Sequence, residues 1–179
     1  MKIIESLLPY HVQLPKRDIA KLKVIVIHCT ELPTLGMARE YGERVLYGDG
    51  TGNSGHYYID RDGQVYQYVE DDRIAHHVVG HNEEAIGIEI VNEGRYPNWY
   101  SSQSQVPSQE YTDAQLEALK SLLQLLKSRY PQIMQIARHS DLDTRTIQAR
   151  DDPSVQIQRK VDPGPLFPWK QIQKFWNSL

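Results

Sequence analysis

The stretch VIVIHCT, residues 24–30, decides the fold because it is a dense run of β-branched residues that ends on a histidine. Such a run, without polar interruption, is typical of a strand covered on both faces. A second run, AIGIEIVN at residues 85–92, alternates isoleucines with Gly87 and Glu89. Because side chains alternate along a strand, Glu89 is predicted on the face opposite the isoleucines.

Other segments predict a hairpin and helices around these two strands. GHYYIDRDGQVYQYV, residues 55–69, has two aromatic-rich runs around Asp62-Gly63, which indicates a hairpin. GMAREYGERVLYG, residues 36–48, has helical spacing that extends to Val45 and Leu46. From Thr112 a capping box and a leucine stripe predict a long helix that stops at Pro131.

The C-terminal third adds a short strand and a last helix. IMQIAR, residues 133–138, predicts a strand that leads into His139, and Pro168 is predicted to open the final helix. Strands interspersed with helices predict an α/β (or α+β) fold, with a single mixed central β-sheet flanked by helices.

Composition excludes several classes of protein. The 179 residues suit one domain, and no apolar run approaches the ~20 residues that span a bilayer. A single cysteine, Cys29, excludes an internal disulfide and a cysteine-rich zinc site. The net charge of −3, without a basic cluster, argues against a nucleic-acid partner. No signal peptide is visible, so we expect a cytoplasmic monomer with no membrane partner.

The candidate chemistry begins with two histidines at strand ends and one aspartate before a Pro-Gly-Pro turn. His28, His139 and Asp162 make a plausible catalytic metal set, because three protein ligands leave the fourth tetrahedral position of zinc for water. Such a water reaches a pKa of ~7. Glu89 is the candidate for proton transfer, and Lys160, two residues before Asp162, for stabilising an oxyanion.

Other interpretations remain open for these residues, including ones without a catalytic role. For Glu89, the alternative to the favoured proton-transfer role is an acid on the solvated face of a half-exposed strand. HHVVGH, residues 76–81, is a rival metal cluster, because His77 and His81 have i, i+4 spacing. The two valines and Gly80 disfavour the helix that this spacing needs, so we rank the cluster lower.

With these residues assembled, the chain resembles the zinc-dependent N-acetylmuramoyl-L-alanine amidase family, amidase-2, which shares its fold with peptidoglycan recognition proteins. The resemblance runs from VIVIHCT to KVDPGPLFPW and includes the hairpin, the AHH and AIGIEIVN segments, the long helix and ARHSD. It implies hydrolysis of the amide between the lactyl group of N-acetylmuramic acid and L-alanine, in peptidoglycan or anhydro-muropeptides. It also implies an N-terminal arm at residues 1–20 and a zinc amidase domain at 21–179.

Carried over by position, the resemblance implies one Zn²⁺ ion, zinc ligands His28, His139 and Asp162, the catalytic residues Glu89 and Lys160, and a substrate contact at His77. An aspartate ligand with Glu89 and Lys160 is similar to the AmpD type. Phage lysozyme relatives usually have a cysteine ligand, and a tyrosine where this chain has Gly55.

One departure from the family pattern is the long segment SDLDTRTIQARDDPSVQIQR, residues 140–159, which we expect to shape or cover the cleft. It also contains four rival carboxylates, Asp141, Asp143, Asp151 and Asp152. A non-catalytic wall-fragment binding module and a zinc hydrolase that cuts within a peptide are the alternative functions.

Overall fold

The computed structural model describes residues 1–179 and has a mixed β-sheet with helices on it, as the sequence predicts. The strands are β1 Ile3–Glu5, β2 Val24–Cys29, β3 Tyr57–Ile59, β4 Val65–Gln67, β5 Ala85–Ile90, β6 Gln135–Arg138, β7 Thr146–Gln148 and β8 Gln156–Gln158. The helices are α1 Leu35–Gly42, α2 Asp113–Arg129, α3 His139–Leu142 and α4 Trp169–Trp176.

Six strands form the central sheet in the order β1-β4-β3-β5-β2-β6. Only β3 and β4 are antiparallel neighbours, and they form the predicted hairpin, with Gly63 in its turn at φ 85°. The other neighbouring pairs, including β5–β2 and β2–β6, are parallel. The carboxyl ends of β2, β5 and β6 therefore meet at one edge of the sheet.

The two faces of the sheet have different roles. All six residues of β2 are buried, which confirms the strand predicted to be covered on both sides. The isoleucines of β2 and β5 pack into the main core with leucines of α2 and with Ile172 and Trp176 of α4. The opposite face of β2 and β5 carries His28 and Glu89, which are register partners, and α2 and α4 do not cover it.

Helix α2 begins as predicted. The Thr112 hydroxyl accepts from the Gln115 amide at 3.1 Å, and the Gln115 side chain accepts from the Thr112 amide at 3.1 Å. Gln115 is fully buried, and its Nε2 also donates to the Val91 carbonyl at 2.8 Å. Gln115 thus caps α2 and also attaches its start to the residue after β5, at the carboxyl edge of the sheet.

Helix α1 is shorter than predicted. It ends at Gly42, and Val45 and Leu46 lie beyond it with 61% and 58% of their surface exposed. The helical spacing of these two residues was therefore misleading, because both are exposed and neither packs on the sheet; Leu46 lines an open cleft.

The segment at residues 140–159 is more ordered than an extended loop. It contains α3 and a separate antiparallel hairpin, in which β7 pairs with β8. Within this hairpin Ile157 is buried, and its neighbours Gln156 and Gln158 are exposed.

The first twenty residues lie against the sheet. β1 is its edge strand, and Leu8, Tyr10 and Leu14 are buried in a second core cluster together with Ala38 of α1. None of the helices combines the length and the apolar composition that crossing a bilayer requires.

Candidate active site

Three chemically distinctive residues lie at the common carboxyl edge of the parallel strands. His28 is near the end of β2, and the register of the sheet places Glu89 of β5 directly beside it. His139 follows β6 immediately. In sheets of this kind, the edge formed by the carboxyl ends of the strands is the usual place for a ligand site. The histidines predicted at strand ends are thus brought together by backbone pairing.

The His28, His139 and Asp162 side chains converge on one point. Nδ1 of His28 is 2.9 Å from Nδ1 of His139, and Oδ2 of Asp162 is 3.2 Å and 3.0 Å from these two atoms. All three residues are at least 97% buried. Hydrogen bonds cannot satisfy all three sides of this triangle. Protons on both nitrogens would meet across the 2.9 Å gap, and a proton on only one would leave the lone pair of the other facing the carboxylate oxygen.

A divalent metal ion fits this donor set. Zinc bonds to nitrogen and oxygen of about 2.0–2.2 Å place tetrahedral ligand atoms about 3.3–3.6 Å apart, slightly wider than the 2.9–3.2 Å found here. The second carboxylate oxygen of Asp162, Oδ1, is buried without a hydrogen-bond partner. A buried carboxylate in this state is costly unless a cation compensates it. These are the only three His, Cys, Asp or Glu residues in the structure grouped closely enough to hold a metal.

The protonation states suit a metal site. Burial, followed by the effect of neighbouring His139, lowers the pKa of His28 to about 4, so its imidazole is neutral at neutral pH. Burial alone would raise the pKa of Asp162, but His139 and Lys160 hold it well below its ordinary value. A neutral imidazole and an ionised carboxylate are the forms that bind metals.

Glu89 and Lys160 border the same site. Oε1 of Glu89 is 3.9 Å from Nδ1 of His28, and its side chain keeps 15% of its surface exposed. Burial raises the pKa of Glu89 well above its ordinary value, and Asp162 adds to this rise. Burial opposes the charge of Lys160, but Asp162, Glu31 and Glu89 outweigh it and raise the Lys160 pKa. A carboxyl group and an ammonium group therefore face one cavity of about 770 Å³.

His77 lies against the metal set and lines the cavity. Its Nδ1 is 3.0 Å from Nε2 of His28, the ring nitrogen that points away from the other two donor atoms. Contacts of this type fix the tautomer and orientation of a ligand imidazole. Gly87 makes the approach possible, because a Cβ at Gly87 would lie 2.7 Å from the His77 ring.

Gly55 provides similar space for Glu89. A Cβ at Gly55 would lie 2.8 Å from Cγ of Glu89, well inside van der Waals contact. The Glu89 side chain therefore fills part of the space that a side chain at position 55 would need.

The rival candidates have other partners. Nδ1 of His81 lies 3.2 Å from Oε1 of Glu84 at the surface. The histidines of residues 76–81 are not grouped closely enough to hold a metal ion. Asp143 is buried, but it pairs with Arg145 at 2.7 Å and Arg159 at 2.6 Å. The remaining aspartates of the 140–159 segment accept from Arg138 (Asp141), from Ser101 and Ser102 (Asp151) and from Ser154 (Asp152).

A buried arginine that sequence reasoning missed holds the segment bearing Lys160 and Asp162. Arg95 forms a forked ion pair with Glu31, at 2.6 Å and 2.9 Å, and also donates to the carbonyls of Gln158 and Arg159 at 3.2 Å and 3.1 Å. In the sequence, Arg95 looks like an ordinary solvated charge of a turn. Its importance comes from partners 64 residues away on either side, which no local pattern reveals.

Two further contacts fix the other end of this segment. The Tyr111 hydroxyl donates to the Pro163 carbonyl at 2.7 Å, and the Ser140 amide donates to the Asp162 carbonyl at 3.1 Å. Asp162 is therefore attached to the residue after His139, and Pro163 to the residue before the α2 cap.

We expect Arg95→Lys to lower the free energy of unfolding by about 2 kcal/mol, because lysine cannot bind Glu31 and the carbonyls of Gln158 and Arg159 at once. Urea unfolding measures the change. The matched control is Arg39→Lys, since Arg39 also pairs with a glutamate, Glu43, and donates to the adjacent carbonyls of Ser6 and Leu7. Equal losses in the two variants would contradict a special role for Arg95.

Comparisons with known proteins identify the family of this chain. The family model for N-acetylmuramoyl-L-alanine amidase matches residues 18–165. The 1,6-anhydro-N-acetylmuramyl-L-alanine amidase AmpD of Enterobacter cloacae is 35% identical over 123 residues, which are 64% of this chain and 52% of that protein. The chain thus spans about half the length of the curated relatives it matches.

Solved structures agree in fold. A selenomethionine derivative of AmpD superposes with a TM-score of 0.67 at 23% identity, over 97% of this chain and 93% of that one. The amidase AmiD of Escherichia coli, in complex with anhydro-N-acetylmuramic acid-L-Ala-D-γ-Glu-L-Lys, has a TM-score of 0.64 at 25% identity, over 87% of this chain and 57% of that one. With the family model covering most of its residues, the chain belongs to the N-acetylmuramoyl-L-alanine amidase family, amidase-2.

Proposed function

We propose that this protein is a zinc amidase that hydrolyses the bond between the lactyl group of N-acetylmuramic acid and L-alanine of the stem peptide. The observation that carries the proposal is the buried triangle of His28, His139 and Asp162, with Glu89 at its side. Family membership supplies the substrate class, and the complex of AmiD with an anhydro-muropeptide supports it.

In this proposal His28, His139 and Asp162 hold the zinc ion. Zinc in such a set acts as a Lewis acid and lowers the pKa of water toward ~7. His28 contributes Nδ1 to the metal, and its Nε2 then keeps the proton and faces Nδ1 of His77. His77 therefore orients a ligand, and its expected contact with substrate remains a prediction.

Glu89 moves the proton. Its carboxylate takes a proton from the attacking water and delivers it to the nitrogen of the leaving L-alanine. A carboxyl group with a raised pKa suits both steps, since it accepts the proton and holds it until the amine leaves. Only a small part of Glu89 is exposed, which limits loss of that proton to solvent.

Lys160 stabilises the charge that forms on the carbonyl oxygen during attack. Its ammonium group is kept protonated by the acidic groups around it. Arg95 keeps the Lys160 backbone in position through the two preceding carbonyls. A fixed cation at the place where negative charge develops lowers the barrier without reorganisation. All residues of this scheme lie in the zinc amidase domain that we assign to residues 21–179, with residues 1–20 as a supporting arm.

The proposal is tested by incubating the zinc-loaded protein with an anhydro-muropeptide and, separately, with intact sacculi. Mass spectrometry should find free stem peptide with an amino-terminal L-alanine. Absence of this product, from protein shown to contain metal, would refute the amidase. Fragment binding that ignores chelator and gives no product would instead indicate a binding module, and cleavage within the peptide another zinc hydrolase.

The same assay addresses the form of the substrate. Faster cleavage of the anhydro-muropeptide than of sacculi would agree with the cytoplasmic location that we expect from the sequence, and the reverse order would favour a wall-degrading role.

A further inference from the structure

The cleft has more positive charge than the proposed reaction uses, although the protein as a whole is acidic. Its lining contains four cationic residues (Arg44, Arg150, Arg159 and Lys160) and three acidic residues (Glu31, Glu89 and Asp162). Each acidic residue already has a role: one binds metal, one moves the proton, and one pairs with Arg95. Lys160 belongs to the reaction scheme, and Arg159 pairs with Asp143. Two arginines, Arg44 and Arg150, form no ion pair with any acidic residue.

Both of these arginines lie against tyrosines. The Cζ atom of Arg44 is 3.5 Å from the ring centroid of Tyr41, and that of Arg150 is 4.9 Å from the ring centroid of Tyr100. Stacking on an aromatic ring restrains the guanidinium plane while leaving its N–H groups unused. A guanidinium group that is restrained in this way and has free N–H groups is suited to bidentate binding of a carboxylate.

The Arg150 backbone is also fixed. Its amide donates to the carbonyl of Tyr100 at 2.8 Å, so the residue and its stacking partner are tied together. The next residue, Asp151, accepts from the Ser101 hydroxyl and the Ser102 amide, both at 2.7 Å. The loop between β7 and β8 is therefore attached to the loop after β5, and together they carry Arg150 to the cleft.

We propose that Arg44 and Arg150 form a carboxylate-binding subsite that recognises the stem peptide of the substrate. This inference rests on the proposed function, because that function brings a peptide into the cleft. A γ-linked glutamate keeps its α-carboxylate free, and a stem that ends in lysine adds a terminal carboxylate. The subsite thus gives the long 140–159 segment a function in choosing acidic stem peptides over amidated ones.

The test compares two substrates that differ only in charge: N-acetylmuramoyl-L-alanyl-γ-D-glutamyl-L-lysine, and its twin with both free carboxylates replaced by carboxamides. We expect wild-type protein to have a KM about tenfold lower for the acid form, as expected for one or two exposed charged hydrogen-bond pairs. Arg44→Gln and Arg150→Gln should each raise the KM for the acid form at unchanged kcat. The double variant should lose the preference.

The matched control is Arg145→Gln, because Arg145 belongs to the same 140–159 segment but pairs with Asp143 and does not line the cleft. This variant should keep the wild-type preference. Equal KM values for the two substrates in wild-type protein, or a double variant that retains the preference, would overturn the subsite.

A binding measurement separates this inference from the proposed activity. Calorimetry on a Glu89→Gln background should give about tenfold tighter binding of the acid form, and this difference should vanish when both arginines are replaced. If wild-type protein cleaves neither substrate, the amidase proposal fails, while the calorimetric comparison still decides whether the arginines bind carboxylates.

Discussion

Glu89→Gln should lower kcat by about 10²–10⁴-fold, the range associated with general acid–base catalysis, while bound zinc stays unchanged. Glutamine has nearly the same shape as glutamate, so it fits the space left by Gly55, but it cannot take a proton from water. The loss should appear in kcat more than in KM, because the interaction exists only during the reaction. Steady-state kinetics on a muropeptide, together with metal analysis of the same sample, measures both quantities.

The control for this variant is Glu93→Gln. Glu93 follows β5 in the same segment but is exposed and lies outside the cleft, so its kinetics should match those of the wild-type protein. Full turnover by Glu89→Gln would show that Glu89 does not transfer the proton. Lys160 would then be the next candidate to test.

His139→Ala should weaken zinc binding by at least about 100-fold, since loss of a ligand exceeds the 10–100-fold effect of losing a ligand's hydrogen-bond partner. Hydrolysis should fall with the metal content. The measurement is the zinc retained after dialysis against a competing chelator, with circular dichroism as a check of folding. Asp162→Asn provides a second test that preserves volume and removes only the charge.

His81→Ala serves as the matched control, because His81 lies at the surface beside Glu84. It should retain about one equivalent of zinc, as expected for an intact three-ligand set. Wild-type zinc content in His139→Ala and Asp162→Asn would show that the metal, if any, binds elsewhere.

The sequence predicted the parts of the fold that depend on local patterns. The β-branched run of β2 and the capping box at Thr112 each have a direct physical signal, and both elements are found where expected. The predicted end of α1 was wrong, because Val45 and Leu46 have the spacing of a buried helical stripe but are both exposed beyond the helix. The β7–β8 hairpin was missed, since only one residue of β8 is buried and the connecting loop hides the pairing.

The candidate site was predictable for a different reason. His28, His139 and Asp162 each lie at the end of an element or before a Pro-Gly turn, so their chemistry and position could be read together, and the structure places them in one cluster. Their catalytic roles stay predictions. Arg95, Arg44 and Arg150 could not be found in this way, because an arginine looks the same in sequence whether it is solvated, buried in an ion pair or stacked beside a cleft.

The close approach of Gly55 to Glu89 has an evolutionary consequence. A larger residue at position 55 and a carboxylate at position 89 would compete for one volume, so a substitution at position 55 requires the Glu89 side chain to shift. Large residues at position 55 and glutamate at position 89 should therefore rarely occur together among homologues, and a library that randomises position 55 alone should favour small residues among active clones.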